Sequence, residues 1–294
     1  MKDVVAAADQ ISLEGNFAIL EVCHHLSIPR SSFYEHRSET QTSWETQTRV
    51  LTPMVMAIFW KHKKRYGTRR IVDDLADAGI AVSRKRVANI MKTQGLRSIQ
   101  PKSFKPKTTE SRHRLGYSPN LLLEKFSLTG VDQLWVSDIT YVPLSVRSFC
   151  YLSMIMDRFS RRLIGWHLDI TMTEDLVVRS LKHAIGTRSV KANLIHHSDR
   201  GGQYAGKQFR SILRRASIRQ SMSRADDCYD NAFMESCFGT IKTELEMTEY
   251  KNIDIAEKEL KEYFAYYNRD RKHSGIGYKT PIQFENNQLN HSKP

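Results

Sequence analysis

Between residues 134 and 223 the apolar residues keep a strand rhythm that is twice interrupted by a helical one. "LWVSDITYVPL" (134–144), "SFCYLSMIMDRFS" (148–160) and "RRLIGWHLDI" (161–170) are β-rich runs with almost nothing between them, which predicts three strands pairing as antiparallel neighbours. "TEDLVVRSLKHAIGT" (173–187) then has helical spacing behind a threonine cap. "NLIHHSD" (193–199) returns to strand, and a helix over 206–216 and a short strand over 219–223 follow. Three meandering strands and then helix–strand–helix–strand imply a mixed sheet flanked by helices, one α/β domain.

Residues 10–100 read as helices instead. In "LTPMVMAIFWKHKKRYG", Pro53 suits a first helical position, and Met54, Val55, Ile58 and Phe59 form an apolar stripe. Two short helices follow in "RRIVDDLADAGIAVSRKRVANIMKTQGLRS". The first carries Ile71 and Leu75 and stops near Gly79; the second starts at a Ser83 cap, buries Val87, Ile90 and Met91, and ends at Gly95. Arg84, Lys85, Arg86 and Lys92 face outward, so a short helix, a tight turn and a basic helix have the layout of a helix-turn-helix reader of DNA. A helical hairpin without a DNA role would share the layout but not the charge. "ILEVCHHLSIPRSSFYEHR" is a second candidate unit, with Pro29 opening its second helix; His24 and His25 lack a chelating set and read as helix surface.

Charge is where composition enters. The chain of 294 residues carries +13. Residues 61–114 hold 16 Lys/Arg against 4 Asp/Glu, an excess of 12, so one fifth of the chain holds nearly all of it. That density solvates a face or meets a polyanion, and nucleic acid is the commonest such partner. No run of about 18 apolar residues could span a membrane, and the first twenty residues lack the order of a signal peptide. Cys23, Cys150, Cys228 and Cys237 are scattered with no C-x-x-C pair, which fits a reducing cytoplasm.

The chemistry-bearing residues are acids. Asp138 shares a strand face with Val136, Thr140 and Val142, where a charge is costly unless paired or bound to metal. Asp199 ends the fourth strand, and Arg200, Gly201 and Gly202 follow it; turn chemistry and access for a substrate both account for that break. In "YDNAFMESCFGTIKTELE" (229–246), Asp230 or Asn231 can cap a helix whose face carries Glu235, Phe238, Gly239 and Lys242. Two strand aspartates and a helical glutamate make a hard oxygen site suited to Mg²⁺ or Mn²⁺. Asp157 also follows a strand and reads as structural, paired with Arg158, Arg161 or Arg162; Asp226 and Asp227 read as loop residues.

Asp138, Asp199 and Glu235, with 60 and 35 residues between them, resemble the DDE triad of retrovirus-like integrases and transposases. The words "WVSDITYV", "HHSDRGGQY", "DCYDNAFMESCFGTIKTELE" and "YNRDRKHSGIGYKTPIQFE" are similar to those of OrfB-type insertion-sequence transposases, and the likeness runs from about Tyr66 to Phe284. The resemblance implies an RNase H-like core whose three carboxylates hold two divalent ions, Mg²⁺ or Mn²⁺, and transfer DNA strands. It implies binding of the element's terminal inverted repeats and of target DNA, a homo-multimer on that DNA, an OrfA-type partner or fusion, and a place in the cytoplasm at the nucleoid. Lys242 matches a basic position that contacts terminal DNA, although a surface lysine in helix ion pairs would look alike. Arg200 touches phosphate or braces its loop; Arg269, Arg271, Lys272 and His273 line DNA or pack on the core. The zinc-binding head of retroviral integrases is absent from the sequence. A catalytically idle DNA-binding regulator with remnant carboxylates, and a nuclease acting on RNA–DNA hybrids, are the other classes with this layout.

The expected division is a helical region 1–50, a basic helix-turn-helix-like module 51–100, a basic linker 101–118, the catalytic core with a C-terminal helix 119–286, and a tail 287–294.

Overall fold

A computed structural model describes residues 2–37, 43–100, 116–123, 127–145, 148–224, 232–247 and 249–291. The chain divides into two compact units, Met1–Arg97 and Ser98–Pro294. Among the described residues no helix is long and apolar enough to cross a membrane.

In the first unit, α1 (Lys2–Gly15), α2 (Ile19–His25) and α3 (Arg30–Arg37) enclose a small core of Val5, Ala8, Val22, Cys23, Ile28 and Phe33. Pro29 stands directly before α3, and His24 and His25 lie on the surface, as expected. A second core joins α4 (Ser43–Lys61), α5 (Thr68–Asp77) and α6 (Arg84–Thr93) through Val55, Phe59, Tyr66, Ile71, Leu75, Val87, Ile90 and Met91. Ser83 caps α6 by accepting the Arg86 N–H at 3.3 Å, and Gly79 and Gly95 close α5 and α6 at φ +76° and +64°. That left-handed conformation suits glycine, which has no Cβ to clash. One expectation fails here: Pro53 does not open a helix but sits inside α4. The apolar row Leu51, Val55, Phe59 runs straight past it into the core, and that burial carries the helix through a proline exposed on the far side.

The second unit is built on β1 (Leu134–Leu144), β2 (Ser148–Asp157), β3 (Leu163–Asp169), β4 (Ile195–Ser198) and β5 (Arg219–Met222), in the order β3-β2-β1-β4-β5. β1–β2 and β2–β3 pair antiparallel; β1–β4 and β4–β5 pair parallel. This is the mixed sheet the rhythm called for. Helices α7 (Glu174–Thr187) and α8 (Lys207–Arg215) cover one face over Trp135, Ile155, Ile164, Leu194 and Phe209. On the other face α9 (Ala232–Glu244) and α10 (Ile253–Arg269) bury Met234, Phe238, Ile241, Leu260 and Phe264 against Val136, Val142, Leu152 and Met154; α11 (Pro281–His291) packs on α10. Alternate residues of β1 therefore feed two cores, and the row of Val136, Asp138 and Val142 faces α9. The free edge of β3 is closed by Asn268, which accepts the Leu163 N–H at 2.9 Å and donates to the Leu163 carbonyl at 2.8 Å.

Two local readings need correction. Thr173 occupies the cap position of α7, but its hydroxyl accepts no capping bond. Asp157 is structural as expected, yet its partners are different ones. Its carboxylate accepts the Asp132 N–H at 2.7 Å and the Ser160 N–H at 2.8 Å, and it lies 3.9 Å from Arg188. Arg188 in turn reaches Asp132 and both oxygens of Glu285 at 2.9 Å, tying α11 to the sheet. The expected cap of α9 (Asp230 or Asn231), the loop acids Asp226 and Asp227, and linker residues 101–115 lie outside the described residues.

Candidate active site

Asp138 stands in the middle of β1, half-buried, with Oδ1 accepting the Ile139 N–H at 2.8 Å. The parallel register Leu134↔Ile195, Trp135↔His196, Val136↔His197, continued two residues, brings Asp199 level with Asp138 on the neighbouring strand. Asp199 Oδ1 accepts the Gly201 N–H at 2.9 Å, so a tight Asx turn holds it just past the end of β4. An ideal Cβ on Gly201 would meet Asp199 Oδ1 at 3.0 Å. Positive φ among the glycines is confined to Gly79, Gly95 and Gly277 among the described residues, so Gly201 supplies space beside the carboxylate, not an unusual backbone.

The electrostatics show what converges. Burial holds the pKa of Asp138 well above the usual carboxylate value; the charges of Asp199 and Glu235 raise it further, while the Ile139 amide and Lys242 pull it down. Asp138 thus feels both other acids and the lysine. Burial lowers the pKa of Lys242, and Asp138 partly restores it. Glu235 and Lys242, seven residues apart on α9, lie on one helical face, with Glu235 exposed and Lys242 half-buried. Among the described residues no three His, Cys, Asp or Glu side chains are grouped to hold a single ion. The donors are hard carboxylate oxygens in excess over nearby positive charge, which suits a divalent ion, but their arrangement is not a closed chelate.

Sequence reasoning missed Tyr204. Its hydroxyl is buried near the Ser137 and Ser153 side chains. Its pKa is driven far above the phenol value by burial and then by Asp138 and Asp199; Ser137 and Ser153 offset part of this. It therefore lies within the field of both strand acids as a neutral phenol. Its sequence signal was the last letter of "HHSDRGGQY".

The integrase core domain family matches residues 129–228, a second integrase core domain description matches 216–281, and an HTH-like domain matches 47–104. A Shigella sonnei protein called "Insertion element IS600 uncharacterized 31 kDa protein" is 36% identical over 265 residues, 90% of this chain and 97% of that one. "Transposase InsF for insertion sequence IS3A" of Escherichia coli (strain K12) is 35% identical over 280 residues, 94% of this chain and 96% of its own. The chain is an insertion-sequence transposase by family. A magnesium complex of the HTLV-2 integrase catalytic core aligns at TM-score 0.44 and 16% identity, over 53% of this chain and 98% of that one.

The remaining basic residues of the transposase separate into two groups. Arg84, Lys85 and Lys92 are exposed on α6. Arg86 turns back onto α4, donating to Gln47 Oε1 at 2.9 Å and to the Trp44 carbonyl at 3.3 Å, with its guanidinium 5.4 Å from the Trp44 ring. Arg200 braces its loop: Nε donates to the Ser223 carbonyl at 2.8 Å, and the guanidinium lies 4.7 Å from the Tyr117 ring. Arg271 and Lys272 are buried in the transposase, the arrangement expected of residues that pack on the core. Arg271 grips Glu244 of α9 through Nη2 at 2.7 Å and Nε at 2.9 Å. Its charge is matched inside the fold, because an unpaired guanidinium there would be too costly.

Proposed function

We propose that this transposase cuts and joins DNA strands at the ends of its element, with Asp138, Asp199 and Glu235 as the reacting carboxylates and Lys242 as a phosphate contact. The observation that supports the reading is the parallel register that sets Asp199 level with Asp138, where burial first, and then the charges of Asp199 and Glu235, disfavour the Asp138 anion. The three acids come from a strand, a strand end and a helix. Such repulsion has a use where cations and phosphates gather. The family supports strand transfer over a catalytically idle regulator.

The three carboxylates would hold divalent ions, Mg²⁺ or Mn²⁺, two of them on our reading. Bound there, the ions supply Lewis acidity that favours deprotonation of the attacking hydroxyl and steadies charge on the scissile phosphate. The chain does the positioning. The Ile139 and Gly201 amides fix one oxygen of Asp138 and one of Asp199. Packing of Met234, Phe238 and Ile241 sets the rotation of α9 and with it the aim of Glu235 and Lys242. Lys242, half-desolvated, gains most by meeting a phosphate. Arg84, Lys85 and Lys92 of α6 would touch DNA in the helix-turn-helix module. Two ends joined in one reaction require a homo-multimer on DNA, with terminal repeats and target as substrates, and an OrfA-type partner or fusion completes end recognition. The work is done at the nucleoid, in the cytoplasm.

The test is strand transfer with terminal-repeat DNA. Asp138→Asn, Asp199→Asn and Glu235→Gln each drop joining below about a thousandth of wild type, while DNA affinity changes little. Full joining by any one of the three removes that residue from the site.

A further inference from the structure

The turn from β2 into β3 carries three arginines in the run DRFSRR, 157–162. Arg162 is matched, with Nη1 2.5 Å from Glu285 Oε2. Arg158 and Arg161 are not: among the described residues neither has a carboxylate at ion-pair distance. The acid beside them, Asp157, is spent on Asp132, Ser160 and Arg188. Both guanidinium groups lie on one ring. Arg158 Cζ is 3.0 Å and Arg161 Cζ 5.6 Å from the centroid of Phe233, two residues before Glu235 on α9.

Two like charges gathered on one half-buried ring need a reason. Burial first, and Arg161 second, lower the pKa of Arg158 to about 10, so it stays charged at neutral pH with its repulsion unrelieved. The aromatic face attracts cations but cancels no charge. The backbone of the turn is bonded to itself. Asp157 N–H donates to the Arg162 carbonyl at 2.9 Å, Arg161 N–H donates to the Asp157 carbonyl at 2.8 Å, and Arg161 is held at φ +61°. Gly275 makes room for the group: a Cβ there would meet Arg161 Nη2 at 2.5 Å. A pair of planar donors with no acid partner among the described residues, at the start of the helix that carries Glu235, fits one class of partner well.

We propose that Arg158 and Arg161, laid against Phe233, form a clamp for the phosphodiester backbone of DNA in the catalytic unit. The clamp rests on the strand-transfer reading and deepens it. Either element-end or target DNA supplies that phosphate.

The full-length protein is titrated with labelled terminal-repeat duplex and with a duplex of unrelated sequence, from about 50 to 200 mM salt. For Arg158→Gln/Arg161→Gln the salt dependence becomes shallower by about 1.8 in log–log slope, and affinity falls about tenfold per arginine lost. Arg158→Lys/Arg161→Lys recovers the slope. Loss on the terminal-repeat duplex alone assigns the clamp to element ends; loss on both assigns it to DNA of any sequence. A brace for α9 would lower the melting temperature of the Gln variant and leave the slope alone, which overturns the clamp. A Gln variant too unstable to titrate is replaced by the Lys variant against Arg161→Gln, and equal slopes in those two overturn it as well. Asp138→Asn is the control: if it binds with the wild-type slope and does not join strands, the strand-transfer reading stands whatever the clamp does. If the wild type neither binds nor joins DNA, both fall.

Discussion

The buried carboxyl of Asp138 works against the folded state wherever the unfolded chain would ionise it. Burial raises its pKa well above the ordinary value, Asp199 and Glu235 raise it further, and the Ile139 amide and Lys242 offset part of the rise. In the unfolded chain the same group ionises at about 3.9. Between that value and the raised one, the folded protein holds a proton that the unfolded chain has lost, so stability falls as pH rises across that window and stays lowered above it. Asp138→Asn cannot ionise. In chelator, at pH 7, we expect it to melt a few degrees above wild type, with the gap closing as pH drops towards about 4. Magnesium should then raise the wild type more than the variant. Scanning fluorimetry across pH reads this directly, and a variant melting below wild type at pH 7 would mean that the charge is relieved inside the fold. The two strand acids were legible because strand alternation and the end of an apolar run locate them. The partners of Asp157 and Arg271 were not. Asp132 and Arg188 stand far from Asp157 in sequence, and Glu244 lies 27 residues from Arg271. A basic run looks the same in sequence whether it meets DNA or an internal acid.

Where elements touch, one atom decides how closely they pack. Gly165 of β3 pairs with Ile155, and a Cβ on it would meet the Ser180 carbonyl oxygen at 2.4 Å, Ala184 Cβ at 2.8 Å and Ala184 N at 2.9 Å. Two of these are backbone atoms of α7, which cannot swing aside as a side chain can. Gly165→Ala must therefore lift α7 from the sheet, costing about 1–3 kcal/mol in chemical denaturation; an unchanged midpoint would show that the helix has slack. Strands were the most legible elements. β1 matches its expected span, and β2 and β3 end within three residues of theirs, because alternation and the short gaps between runs are local signals. Pro53 was misread since propensity alone starts a helix there, whereas the Leu51–Val55–Phe59 row that overrides it is a tertiary fact. Tyr204 escaped for the opposite reason: a buried tyrosine beside acids has no periodic signature.

On the scale of the whole chain, each unit closes its own cores. Leu75 is fully buried among α4, α5 and α6, while the sheet and its helices enclose two cores drawn wholly from residues after 133. Separate cores give separate unfolding equilibria unless an interface couples them. The tryptophans divide in the same way, Trp44 and Trp60 in Met1–Arg97, Trp135 and Trp166 in Ser98–Pro294. With Trp44 and Trp60 replaced by Phe, fluorescence therefore reports the catalytic unit alone, through Trp135 packed under α7 and α8. Leu75→Ala removes about 2–5 kcal/mol from the helical unit. We expect far-ultraviolet circular dichroism to show an earlier helical transition in urea, with the Trp135 and Trp166 transition unmoved. Movement of both by the same amount would mean one cooperative molecule, and melting of the helical unit would then also unseat the carboxylates. Independent transitions would leave the catalytic sheet folded while the helical unit melts, so that a destabilised reader costs DNA affinity without disturbing the acids.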